Sequence, residues 1–159
     1  MVHRIVSGGQ TGADRAALDF ALHFGIECGG WVPKGRMAED GIIPAHYPNL
    51  VETDSDDPNV RTELNVRDSD TTILITRGAP TGGSAFTVEV AMRLGKPVFH
   101  VDLLRESMDQ VVPKVCQWLQ DLHPAVLNVA GPRASEDHDI YALTKVLLEK
   151  AILPGNRNR

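Results

Sequence analysis

The chain has 159 residues, 42% of them hydrophobic and 23% charged, which fits one globular domain. Its net charge of −5 argues against a protein that binds nucleic acid through a broad basic surface, and no apolar run approaches the roughly 20 residues that span a bilayer. Cys28 and Cys116 form no CxxC pair and are too few for a disulfide framework, so we interpret them as reduced thiols of a cytoplasmic protein.

Apolar runs and helical repeats alternate along the chain. The first helix follows the first strand and ends at Gly25, and a long connection occupies residues 33–48. A single domain is predicted over residues 1–153, with a flexible polar tail at 154–159. The predicted strands cover residues 3–7, 26–32, 49–53, 71–76, 98–101 and 126–129, and the later helices cover 57–69, 84–94, 107–121 and 137–153.

This alternation predicts an α/β fold, a Rossmann-like doubly wound sheet of five or six mostly parallel strands with helices on both faces. In the usual strand order 3-2-1-4-5, the first strand lies beside the strand that ends at Thr76. Ligands bind such sheets at the carboxyl ends of the strands, where the strand order reverses. The loops after these two strands are therefore expected to face each other across a ligand-binding crevice.

A glycine-rich turn between the first strand and the first helix is the strongest local signal. Such a turn leaves backbone amides and a helix N-terminus free to bind a phosphate or another compact anion. The GxGxxG spacing of dinucleotide sites and the lysine of a Walker A loop are both missing. The alternative is a tight turn in which glycine only provides positive φ. The candidate ligand-binding residues are Ser7, Gly8, Gly9, Gln10, Thr11 and Gly12.

A second glycine turn follows the most continuous apolar strand and opens another helix, with the candidate ligand-binding residues Thr81, Gly82, Gly83 and Ser84. Glu89 lies further along this helix among apolar neighbours. It is predicted to be a partly buried acid or base in the crevice, and a solvent-exposed helix glutamate is the alternative.

The last predicted strand ends in a third turn, where Asn128, Gly131 and Arg133 are candidate ligand-binding residues because a guanidinium can bind a phosphate bidentately. Lys34, at the end of the second strand, is a further candidate cation. Arg61 and Asn65 share one helix face, which is either solvated or a contact for a ligand and a second subunit. The six histidines lack metal-ligand spacing, so no metal site is predicted.

Five segments occur in an order that closely resembles the family of putative molybdenum carrier proteins: SGGQTGADRAALDFAL, WVPKGRMAEDG, RTELNVRDSDTTILI, TGGSAFTVEVA and LNVAGPR. The resemblance covers nearly the whole chain. It implies a carrier of the molybdenum cofactor, a pterin that bears a phosphate. The wider superfamily consists of Rossmann-like proteins that bind nucleotide-related ligands, among them the lysine decarboxylase-like phosphoribohydrolases.

Two functions follow from this resemblance. In one, the protein binds or carries a phosphorylated small molecule, either the molybdenum cofactor or a nucleotide. In the other, it hydrolyses nucleoside monophosphates with Glu89 as the catalytic acid or base. The hydrolase motif PGGxGTxxE is kept at Gly82, Gly83 and Glu89, but Ala85 and Phe86 replace its later Gly and Thr. The resemblance also implies a homo-oligomer, and neither nucleic acid nor a membrane is an expected partner.

Overall fold

The computed structural model describes residues 1–156 and contains the alternating strands and helices that the sequence predicts. The strands of the main sheet are β1 (Arg4–Val6), β2 (Glu27–Val32), β5 (Leu50–Glu52), β6 (Thr71–Thr76), β7 (Val98–Asp102) and β8 (Val126–Ala130). The helices are α1 (Ala13–His23), α2 (Pro58–Arg67), α3 (Gly82–Arg93), α4 (Met108–Leu122) and α5 (Ile140–Asn156). A small antiparallel pair consists of β3 (Met37–Ala38) and β4 (Gly41–Ile42).

All neighbours in the six-stranded sheet are parallel, in the order β5-β2-β1-β8-β6-β7. The predicted Rossmann-like α/β class is confirmed, but the predicted neighbour of β1 is wrong. β8 lies between β1 and β6, with Asn128 in register with Val6 on one side and Thr72 on the other. The strand β8 is largely apolar and buried, and such a composition does not specify which two strands lie beside it.

The helices cover both faces of this sheet. Helices α1, α4 and α5 pack together over the main hydrophobic core, which includes Phe20, Val115 and Leu147. Helices α2 and α3 pack against each other around a smaller cluster that contains Val66 and Val90. The loops at the carboxyl ends of β1, β6 and β8 therefore emerge between two helical layers.

The long connection after β2 is ordered. It contains a 3-10 turn over Lys34–Arg36 and the β3–β4 hairpin, whose tip is formed by Glu39 and Asp40. Ile43 follows the hairpin and is buried in the main core, which anchors the connection to the domain.

Helix α5 continues to Asn156, so it extends beyond the predicted helix end at residue 153 and includes residues 154–156 of the predicted tail. Residues 157–159 of that predicted tail lie outside the described part of the chain. Within residues 1–156, none of the helices combines the length and the apolar character needed to cross a membrane.

Candidate functional site

The three glycine turns meet in one cleft at the carboxyl edge of the sheet. The loop after β1, the start of α3 and the loop after β8 contribute to a cavity of about 150 Å³. A recess of about 10 Å³ continues it inward and a second recess of about 110 Å³ continues it outward, with shared lining residues. The expected convergence of the loops is thus confirmed, although β1 and β6 are not adjacent. The main cavity is lined by Gln10, Asp14, Pro58, Asn59, Arg61, Thr62, Gly83, Ser84, Thr87, Ala130, Gly131, Pro132, Arg133 and Glu136.

The N-terminus of α3 opens into this cleft without a cap. Thr81 occupies the N-cap position, but its side chain makes no capping hydrogen bond. The amides of Ser84 and Ala85 donate to the carbonyl of Thr81 at 3.0 and 3.3 Å. Within residues 1–156 the amides of Gly82 and Gly83 have no acceptor, and a Cβ atom on either glycine would meet nothing within 4 Å. These two amides and the positive end of the helix dipole are therefore available to an anion.

The first glycine loop, in contrast, uses its amides internally. The amide of Gln10 donates to Asp14 Oδ2 at 3.2 Å, and the amide of Thr11 donates to Gln10 Oε1 at 3.0 Å. Ala13 N donates to the carbonyl of Pro132 at 3.2 Å, and the buried Ser7 hydroxyl donates to the carbonyl of Asp14. The prediction that this loop cradles an anion with free amides is wrong for these donors, because nearby carboxylate, amide and carbonyl oxygens already accept from them.

The glycines of the first loop admit protein atoms instead of a ligand. A Cβ atom on Gly8 would lie 2.6 Å from Arg61 Nε, and one on Gly9 would lie 2.8 Å from Ile43 Cδ1. Gly12, with φ +79°, lies against the carbonyl of Pro132. The tight-turn interpretation therefore explains Gly9 and Gly12, which combine positive φ with close packing, and close packing alone explains Gly8.

Arg61 and Asp14 bring opposite charges to the inner end of the cleft. Arg61 Nη1 donates to Thr62 Oγ1 at 2.6 Å, while its buried Nε has no partner among residues 1–156. Asp14 is buried, and this burial raises the pKa of its carboxyl, although Arg61 and the amides of Gln10 and Gly8 partly counteract that effect. The sequence left the helix face of Arg61 undecided, and the structure turns that face toward the cleft.

The third turn closes the opposite wall. A Cβ atom on Gly131 would lie 2.5 Å from the carbonyl oxygen of Ile75, so this glycine lets two strand exits approach each other. Arg133 lines the cleft, and its Nε donates to Glu136 Oε1 at 2.6 Å. Asn128 lines the inner recess, is buried, and donates to Thr72 Oγ1 at 3.1 Å.

The remaining predicted residues lie further from the cavity. Glu89 is exposed on α3 and lines none of these recesses, so the prediction that it is partly buried is wrong. Ala85 and Glu89 share the face of α3 that points to solvent, whereas Ser84 and Thr87 are buried toward the cleft. Lys34 is exposed and also lies outside the cleft lining. Thr81 lines the outer recess.

The tip of the β3–β4 hairpin, Glu39 and Asp40, links the first and third loops by hydrogen bonds, and we call this contact the hairpin clasp. Glu39 accepts from the Thr11 hydroxyl and from the amide and hydroxyl of Ser135, at 3.1 and 2.5 Å for the latter two. Asp40 accepts from both terminal nitrogens of Arg15, whose Nε donates to the carbonyl of Gly9. The hairpin thereby fixes the backbone that forms one wall of the cleft.

The sequence did not predict that Thr62, Thr87 and Glu136 line the cleft, and it left the roles of Asp14 and Arg61 open. The spacing of Arg61 and Asn65 was a usable signal, since both belong to the inner face of α2. Thr87 and Glu136 carry no motif, and only the packing of α3 and the loop after β8 brings them to the site. No group of three or more His, Cys, Asp or Glu side chains in the described chain is placed to hold a metal ion.

A parallel sheet with helices on both faces and a cleft at its carboxyl edge defines a Rossmann-like α/β domain. Residues 5–152 match the family model described as the circularly permuted YpsA SLOG family, and the chain belongs to that family. A solved structure, that of the putative molybdenum carrier protein from Syntrophus aciditrophicus SB, is 49% identical. The match covers 95% of each chain with a TM-score of 0.93. No curated protein matches the sequence.

Proposed function

We propose that this protein binds a phosphorylated small molecule, with the phosphate at the N-terminus of α3. The observation that supports this is the uncapped helix end, where the amides of Gly82 and Gly83 have no acceptor among residues 1–156 and Gly83 lines a cleft that also contains Arg133. Helix N-termini with free amides favour compact anions through both hydrogen bonds and the helix dipole. The backbone amides would provide hydrogen bonds to the phosphate, and Arg133 would add a positive side chain on the same cleft.

The size of the cleft limits how much of the ligand it encloses. Its volume of about 150 Å³ lies below the roughly 300 Å³ at which pockets for drug-sized ligands begin. A phosphate and a small attached group fit this space, and the outer recess provides about 110 Å³ more beside Thr81. A larger ring system would extend toward the mouth of the cleft.

We further propose that the role is that of a carrier for a phosphate-bearing pterin or nucleotide, with the molybdenum cofactor as the first candidate. The name of the 49% identical relative, putative molybdenum carrier protein, supports this assignment. The amides of Gly82 and Gly83 would hold the phosphate end of such a cofactor, and no residue is assigned to molybdenum itself. The hydrolase alternative gains no support from Glu89, which is exposed.

Titration calorimetry with inorganic phosphate, AMP and molybdate tests the binding site, and native mass spectrometry of freshly purified protein tests for a co-purified phosphorylated compound. Gly83→Asp places a carboxylate inside the cleft and should weaken AMP binding by at least about tenfold. Ala85→Asp adds the same charge to the same helical turn on its exposed face and should weaken binding much less. Equal losses of AMP affinity in the two variants, or no binding of AMP or phosphate by the unmodified protein, would refute the proposal.

Light scattering tests the expected self-association of the protein.

A further inference from the structure

Asp14 and Arg61 face the same enclosed space without bonding to each other. Both residues line the main cavity and its small inner recess. In the described part of the chain, Arg61 forms no salt bridge, and its only side-chain hydrogen bond is the one to Thr62. Gly8 leaves room for the guanidinium, since a Cβ atom there would lie 2.6 Å from Nε. The fold thus holds a donor and an acceptor at the floor of the cleft with unused hydrogen-bonding capacity.

The chemistry of this pair favours an uncharged group. A carboxylate offers about four acceptor positions, and Asp14 uses some of them for the amides of Gln10 and Gly8. A hydroxyl can donate to this carboxylate while it accepts from a guanidinium. A phosphate dianion cannot donate, and its charge would be repelled by an ionised Asp14 in a poorly solvated site. The floor and the start of α3 therefore differ in the groups that they can bind.

Building on the proposed phosphate site, we propose that Asp14 and Arg61 bind a hydroxyl of the ligand and so orient it with its phosphate toward α3. The ligand class is then a phosphorylated polyhydroxyl compound, such as a sugar phosphate or the sugar phosphate part of a larger molecule. Arg133 and the amides of Gly82 and Gly83 hold the charged end, and the inner pair selects the neutral end.

Calorimetric titration with methyl phosphate and ribose 5-phosphate distinguishes binding of the phosphate from binding of the sugar hydroxyls. The unmodified protein should bind ribose 5-phosphate about tenfold more tightly, because hydrogen bonds to charged groups stabilise a complex by about that factor or more. Arg61→Met removes the guanidinium and keeps an unbranched apolar stem. Asp14→Asn removes the charge and can still accept from Gln10. In each variant, the preference for ribose 5-phosphate over methyl phosphate should fall to about threefold or less. The affinity for methyl phosphate should stay within about twofold of that of the unmodified protein.

Arg67→Met is the matched control, because Arg67 lies on the same helix, is exposed, and pairs with Asp68 away from the cleft. The Arg67→Met variant should keep the about tenfold preference for ribose 5-phosphate over methyl phosphate. Thermal unfolding of every variant checks that it is folded. If Arg61→Met weakens methyl phosphate as much as ribose 5-phosphate, the phosphate lies on Arg61. That result overturns the inference and the placement of the phosphate at α3, while binding of a phosphorylated molecule stands. Equal affinities of the unmodified protein for both probes also overturn it. Failure to bind either probe overturns the proposed function as well.

Discussion

Gly12 and Pro132 join the first and third loops through their backbones. A Cβ atom on Gly12 would lie 2.4 Å from the carbonyl oxygen of Pro132, and that same oxygen accepts from Ala13 N at 3.2 Å. The approach is possible because Gly12 has no side chain and adopts a φ of +79°. Loops that are 120 residues apart in the chain, at 12 and 132, thus share one rigid contact beside the cleft.

Gly12→Ala should therefore lower the free energy of unfolding by about 2–4 kcal/mol, since it adds left-handed backbone strain to a collision with backbone atoms. Urea denaturation measures this change. Gly25→Ala is the control, because Gly25 has a similar φ of +68° but a Cβ atom there meets nothing within 4 Å. It should cost only about 1 kcal/mol. Equal costs for the two substitutions would show that the loop contact is unimportant.

Gly83→Ala should separate binding from stability. Gly83 lies in the first turn of α3 without positive φ, and a Cβ atom there would project into open space. Alanine favours helix more than glycine does, so the free energy of unfolding should stay equal or rise by up to about 1 kcal/mol. The added methyl group narrows the anion site, so the affinity for AMP should fall several-fold by calorimetry. Unchanged affinity in a stable variant would place the phosphate elsewhere.

The carboxylate of Asp19 ties two distant segments to α1. It accepts from the hydroxyl of Tyr47 at 2.7 Å and from that of Tyr141 at 2.5 Å. Burial raises the pKa of both phenols, that of Tyr141 to about 12, so both remain donors at neutral pH. Tyr47→Phe and Tyr141→Phe should each lower the free energy of unfolding by about 1–2 kcal/mol.

A double-mutant cycle tests whether these two hydroxyls act on one group. Because they share the carboxylate, the combined loss should differ from the sum of the single losses by at least about 0.5 kcal/mol. In an Asp19→Asn background, Tyr47→Phe should cost less than half as much as in the unmodified protein. Strict additivity in the cycle would mean that the two tyrosines stabilise the fold independently.

The hairpin clasp predicts a dependence of stability on pH. Hydrogen bonds from Ser135 and Thr11 lower the pKa of Glu39, and the hydrogen bond from Arg15 lowers that of Asp40. Unfolded carboxyls titrate near 4.3 for Glu and 3.9 for Asp. Since the folded pKa values lie lower, the clasp stabilises the protein above that range, and its contribution is lost as the pH falls through the folded values.

A double variant, Glu39→Gln with Asp40→Asn, isolates this contribution from other carboxyls. Urea unfolding at pH 6 should show the variant less stable than the unmodified protein, and the difference should shrink toward pH 3 as the native carboxyls become protonated. A difference that stays constant between these pH values would show that the charges of the clasp do not contribute.

Local sequence patterns predicted the elements of this fold more completely than their arrangement. The β-branched run at residues 71–76 and the Asp57-Pro58 start of α2 are local signals, and both elements occur where expected. The insertion of β8 between β1 and β6 depends on pairing across more than 50 residues, for which an apolar strand carries no local code.

In the candidate site, too, local sequence patterns predicted some residues, whereas others depend on contacts between distant segments. Gly83 and Ser84 were predicted because a glycine turn at a helix start is readable from the sequence, and they line the cleft. Gly9 and Gly12 gave the same signal but serve internal packing, which only their neighbours Ile43 and Pro132 reveal. Arg61 reaches the cleft because α2 packs on α3 and β2 and because Gly8 leaves space for its side chain.

The central position of β8 in the sheet affects how the chain folds during synthesis. This strand pairs with β1 on one side and with β6 on the other, so it links the β5-β2-β1 group to the β6-β7 group. During synthesis on a ribosome, the earlier strands emerge first and cannot complete the sheet until residues 126–130 arrive. A nascent chain stalled before that point would expose two unmatched apolar strand edges, where premature association with other chains would begin.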